Sequence, residues 1–250
     1  MTIKRLTDLI VDRKRREIIN WNFEHIHDLA ESLETSKVPY TGATGTVDLG
    51  AQKLITEEVE SVGDLLVDCG TQKTILLNEP VWEDLRFPAT TINPVGLTAA
   101  ATQETTDPYM GTLLFDPTTP MICAGQAQLP HSRKLSSPLV FHVHWAPTTT
   151  NTGNVLWRLS YMASDLNGTF SGTLTDLDIV HASSGIVGKH QIISFAEVAG
   201  IGAAVSTMIM WKLTRVAGDV LDTYTGNARL LEFDIHYQID TVGSRQEHTK

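Results

Sequence analysis

The sequence predicts a mainly β protein carried on an N-terminal helix, and three observations predict it. Up to residue 36 the apolar side chains fall at helical spacing; Tyr40 to Leu54 is rich in Gly and Thr; and from Asp64 onward apolar residues alternate with period two. The chain therefore divides into a helical stem or attachment segment over 1–36, a β-rich joint over 37–63 and a β knob over 64–250.

The stem rests on Ile19, Phe23, Ile26, Ala30 and Leu33, whose spacings of four, three, four and three place them on one stripe at the heptad period. Glu24, Asp28, Glu31 and Glu34 lie off that stripe. With no second helix in its own chain to cover the stripe, such a helix is marginal alone and calls for a coiled-coil partner from another copy. The run Arg13, Lys14, Arg15 and Arg16 reads as a solvated helix face, with docking to an acidic partner as the sharper alternative. Pro39 ends the helical region, because it lacks an amide donor and disfavours helical geometry at Val38.

The joint carries Tyr40, Gly42, Gly45, Val47, Leu49 and Gly50. Its glycines oppose a helix, and its few apolar side chains cannot form a core of their own. The expected solution is a short β-prism wound from the same segment of several copies. Three copies suit the heptads, although two heptads also accommodate a dimer.

In the knob, strands are expected near 65–68, 73–77, 82–87, 112–115, 121–128, 139–146, 155–163, 169–174, 178–181, 190–198, 205–215 and 229–239. Leu231, Phe233, Ile235, Tyr237 and Ile239 alternate with Glu232, Asp234, His236, Gln238 and Asp240, and the same alternation sets Trp145, Trp157 and Trp211 inward. Antiparallel strands with one apolar face each pack as two sheets. Residues 88–111 form a long connection; 148–153, 183–188 and 217–226 are shorter tips.

Composition narrows the function. A net charge of -10 opposes phosphate-driven nucleic-acid binding, and no apolar run is long enough to insert into a membrane. The start of the chain lacks the apolar core of a secretory signal, which points to assembly in a cytoplasm. Cys69 and Cys123 do not make a disulfide framework and read as buried thiols.

The segment Tyr40-Thr-Gly-Ala-Thr-Gly-Thr-Val-Asp-Leu-Gly50 resembles one that recurs in bacteriophage fibre proteins between an attachment helix and a head domain. The motifs Val81-Trp-Glu-Asp-Leu85, Leu129-Pro-His-Ser132, His142-Val-His-Trp145, Phe233-Asp-Ile-His-Tyr237 and Asp240-Thr-Val-Gly-Ser244 resemble phage virion proteins. The resemblance implies a homotrimeric tail or head fibre in the virion, with a jelly-roll-like knob. Residues 1–36 would meet a tail adaptor or capsid protein, and the knob a host-surface glycan or protein. A capsid decoration or cement fibre without receptor role is the alternative within that class. Tyr109, Thr149, Asn151 and Tyr224 are the candidate receptor contacts, since binding residues concentrate on loops.

His142, His144, Asp234 and His236 form the most tempting polar constellation, with His190 and His131 available nearby. A His-x-His pair on a strand is similar to the cupin metal arrangement, but no acid occurs in 146–152 where that pattern wants a Glu. The expectation is therefore that these side chains satisfy one another across a sheet or at a subunit interface, with no metal and no cofactor. Nucleophile-elbow, phosphate-loop and His-Glu-x-x-His signatures are missing, and no pair of acids stands out for glycoside cleavage. A binding protein, not an enzyme, is expected, with a cupin-like metalloenzyme as the rival reading from another class.

Overall fold

A computed structural model of the chain describes residues 76–96, 100–244 and 246–250, together with Lys14, Arg15 and His25, which are helical and exposed. Two compact units are present, Met1–Leu66 and Val67–Lys250. The stem stripe, the joint residues and Cys69 lie outside the described residues.

The knob is mainly β. Its strands are β1 (Leu76–Pro88), β2 (Asn93–Pro94), β3 (Thr102–Gln103), β4 (Leu113–Phe115), β5 (Met121–Gln128), β6 (Val140–Pro147), β7 (Asn154–Ser164), β8 (Thr175–Ala182), β9 (Gln191–Ser194), β10 (Met208–Arg215) and β11 (Ala228–Thr241). One sheet runs β3-β4-β11-β6-β9, with β1 also on β11; the other runs β2-β5-β10-β7-β8. The named strands pair antiparallel throughout. From β4 to β11 the chain crosses between sheets at every step except the β7–β8 hairpin, giving four-strand layers β4-β11-β6-β9 and β5-β10-β7-β8. That is the order of a jelly roll.

The inward positions fill the space between the layers. Phe115, Phe141, Val143, Trp145, Trp157, Leu159, Leu213, Phe233 and Ile235 are fully buried, and Trp211 nearly so. Trp211 lies 4.3 Å from Phe233 between ring centroids, joining the two sheets. Gly125 makes this possible, since a Cβ there would come within 2.4 Å of the Trp211 ring. Cys123 is also buried, and burial alone pushes its thiol far up.

Three expectations need correction. Residues 169–174 are not a strand: pairing of β8 with β7 begins only at Thr175–Tyr161, after them in the chain. Within them Ser171 Oγ takes the Thr173 N–H at 3.2 Å, a local turn bond that competes with a ladder. Leu231 is only partly buried, because β11 slips by one residue between the Leu230–Trp145 and Glu232–His144 pairs; this bulge puts Leu230 in the core instead. Residues 88–111 are no free connection, since a short 3-10 turn, β2 and β3 stitch them to the edges of both sheets.

Candidate functional site

Two regions of the knob concentrate polar chemistry. The first is the end where the loops around 104–112, 148–153, 183–190 and 216–227 meet. Arg215 closes β10 there with its side chain entirely buried, against an equally buried Asp222. Its Nε and Nη2 donate to the two Asp222 oxygens at 3.0 and 2.8 Å. Nη1 donates to the carbonyls of Phe115 and Gly226 at 3.0 and 2.8 Å, and Nη2 to that of Tyr224 at 2.5 Å. All five guanidinium N–H groups thus find acceptors, which a buried cation requires. Asp222 also accepts the Leu156 N–H at 3.0 Å, tying the loop to β7.

Neighbouring loops are fastened in the same way. The Tyr224 hydroxyl accepts the N–H groups of Thr148 and Thr149 at 3.0 and 3.1 Å, and Asn151 Nδ2 donates to Thr225 Oγ1 at 2.8 Å. Gly153, with φ at +133°, lets the chain pass so close to Thr223 that a Cβ would stand 2.6 Å from its carbonyl oxygen. Across the rim, Arg229 donates to both Glu104 oxygens at 2.6 and 2.9 Å, and its guanidinium lies 3.6 Å from the centre of the Tyr109 ring. Hydrogen bonding from Arg229 outweighs the opposing effect of burial and holds the Glu104 carboxyl below its usual range.

This geometry reassigns the loop residues chosen from sequence. Tyr224 is only 1% exposed, so its ring is part of the clamp and is closed to a receptor. Tyr109 is half-buried beneath Arg229, and Thr149 is half-buried on the Tyr224 hydroxyl; Asn151 stays exposed. The side chains left facing solvent are instead Met110, Ile186, Val187, Leu221 and, at 89% exposure, Val220. The missed signal was an apolar pair, Val220-Leu221, between the turn-forming Gly218-Asp219 and Asp222, where no strand alternation would bury it.

The second region is the outer face of the sheet formed by β1, β11, β6 and β9. Because strands alternate, Trp82, Asp84 and Arg86 from β1 stand beside Glu232, Asp234 and His236 from β11, followed by His142 and His144 from β6. His190, just before β9, completes the row. An open depression of about 390 Å³ is lined by Asp84, Arg86, His144, His190, Leu231, Glu232 and Asp234. The predicted four-residue cluster is thus brought together, but its members differ. His144 Nε2 meets Asp234 Oδ2 at 2.9 Å, and its Nδ1 meets His190 Nε2 at 2.8 Å. His236 turns away to pair with Asp84, its ring 4.4 Å from that of His142 and stacked on Trp82. His131 is elsewhere, between Ser244 and Ser206.

The expectation of mutual satisfaction fails at one contact. His142 Nδ1 and Asp234 Oδ1 are 3.0 Å apart, yet neither atom has a hydrogen-bond partner, because the approach is out of line. Both residues are buried, at 6% and 3% exposure. Burial disfavours the Asp234 anion, but the adjoining His142 and His144 more than offset it, and the carboxyl lies below its ordinary range. Desolvation lowers His236, favouring its neutral ring. Two imidazoles and one carboxylate here offer donor atoms all within 4.8 Å of one another.

No protein-family model matches the chain, and no curated protein matches it in sequence. Solved structures share part of the fold. An isomalto-dextranase of Arthrobacter globiformis complexed with panose is 11% identical, with a TM-score of 0.37, over 61% of this chain and 23% of that one. A family 35 carbohydrate binding module from Clostridium thermocellum is 11% identical, with a TM-score of 0.32, over 61% of this chain and 97% of the module. The enzymatically active domain of tailspike protein 4 from Bacteriophage CBA120 is 10% identical, with a TM-score of 0.29, over 63% of this chain and 19% of that one. The chain thus spans under a quarter of the dextranase and of the tailspike domain. At these scores the likeness carries no argument about ligand or activity.

Proposed function

We propose that the chain is a non-catalytic structural appendage of a bacteriophage particle: a homotrimeric fibre whose stem self-associates and attaches to the virion, and whose knob binds the host surface with its loop end. The fibre reading is supported by the Tyr40–Gly50 motif and by a stem stripe that needs a partner. One observation carries the binding reading. A fully buried Arg215–Asp222 pair with every guanidinium N–H satisfied fixes a loop whose tip, Val220 and Leu221, faces solvent. Pre-ordered loops lose little entropy on association, so exposed apolar tips held rigidly make effective contacts. Three knobs on one axis add avidity, which converts weak single contacts into durable attachment.

The test uses the purified full-length chain. Mass photometry should return a trimer, and the protein should compete with particles for adsorption to host cells. The double variant Val220→Ser/Leu221→Ser should keep the trimer and lose most of that competition. A monomer removes the fibre, and undiminished competition by the double variant removes the loop end as the binding surface.

A further inference from the structure

The outer face of the β1-β11-β6-β9 sheet points to a site that the binding function does not use. We infer that His142, His144 and Asp234 bind one divalent first-row transition ion of the zinc class. The inference begins with the two buried atoms left without partners, His142 Nδ1 and Asp234 Oδ1. A buried polar atom without a partner costs free energy, and a cation between the two would take a lone pair from each. In the structure the pair stands at 3.0 Å but out of line for the hydrogen bond that would otherwise join it.

Donor chemistry sets the class of ion. Two neutral imidazoles with one carboxylate suit zinc, nickel or iron(II) and not an all-oxygen ion such as calcium or magnesium. The carboxylate touches one imidazole through each oxygen, at 3.0 Å for His142 and 2.9 Å for His144. Bond lengths of about 2.0–2.2 Å to a tetrahedral ion require donor separations slightly above 3 Å, so small rotations of the rings are sufficient on this edge. The ligands come from β6 and β11, paired in register as His142–Asp234 and His144–Glu232, so the backbone fixes their spacing.

His190 supplies the supporting contact. A ligating His bonded through Nε2 carries its proton on Nδ1 and gives it to an outer acceptor, which fixes the tautomer. His144 Nδ1 is 2.8 Å from His190 Nε2, the partner this demands. His236 and Glu232 are withheld from the ion by Asp84 and Arg86 respectively. His144 and Asp234 border the open depression, from which water would complete the coordination.

Chelator-treated full-length protein titrated with zinc and no host material is expected to bind one ion per chain and to unfold at higher temperature with it. Cobalt(II) in place of zinc should give the visible absorption of a nitrogen- and oxygen-liganded ion. His144→Ala, at a half-exposed position, and Asp234→Asn should each abolish this, and His190→Phe should weaken affinity by about 10–100-fold, the usual effect of losing an outer partner. Folding of each variant is checked by circular dichroism, and His144→Ala decides the matter if Asp234→Asn unfolds. Failure to bind one ion per chain, or wild-type affinity in His144→Ala, overturns the inference. Because no receptor enters the measurement, the result is independent of host binding.

Discussion

Arg215 and Asp234 are both charged and both buried, yet their surroundings are opposite. Arg215 has an acceptor for each of its donors, and its carboxylate partner is fixed from β7 as well. Asp234 has one oxygen well bonded and the other facing a nitrogen that does not bond to it. The difference teaches where each region spends its order. Around Arg215 the polar groups are consumed internally, and Val220 and Leu221 at the loop tip stand exposed; at His142 and Asp234 two buried polar atoms face one another without bonding.

The largest effect that could break this contrast is at the clamp. Arg215→Met leaves Asp222 buried without its cation and should destabilise the knob by about 3–5 kcal/mol, read by urea unfolding. A change below 1 kcal/mol would mean the pair is hydrated in solution. Tyr224→Phe removes the hydroxyl that takes the Thr148 and Thr149 N–H groups and should cost about 1–3 kcal/mol, with faster amide exchange confined to 148–153. If exchange rises throughout the knob, Tyr224 is a core residue and not a loop fastener.

On the sheet face the metal-free protein should respond less. Asp234→Asn removes the charge from the bond with His144 and should cost about 1.5–3 kcal/mol, short of the Arg215 variant. A loss as large as that of Arg215→Met would show the face to be internally satisfied. The smallest effect is pH-dependent. Glu104 has a folded-state pKa below its ordinary value of 4.5, so its contribution is complete above that pH and disappears as pH falls through the lower folded value. Glu104→Gln should flatten this acid limb, and an unchanged limb in denaturant midpoints between neutral pH and pH 3 would place the Arg229 contact outside the stability of the rim.

Much of the knob was legible in residues read singly. The β5 limits were met at both ends, and Trp145, Trp157 and Trp211 went inward as their parity demanded. Trp82, assigned no facing from sequence, shares the face of Asp84 and Arg86 and is 45% exposed. Legibility stopped where one residue broke the count. The slip after Leu230 changed which leucine entered the core, and it lies directly beside Glu232 and Asp234 on the candidate site. Tyr224 shows the second limit, since a loop tyrosine is surface-facing only if no neighbouring loop presents N–H groups to its hydroxyl.

The sequence by itself determined the alternation that makes two sheets and the placing of His142 and His144 on one face, because each follows from the repeat of the backbone. Only the tertiary structure decided that Asp234 stands opposite His142, that His190 backs His144, and that Arg215 reaches Phe115, Asp222, Tyr224 and Gly226 at once. Those meetings depend on strand order and register between segments far apart in the chain, and no local periodicity encodes them.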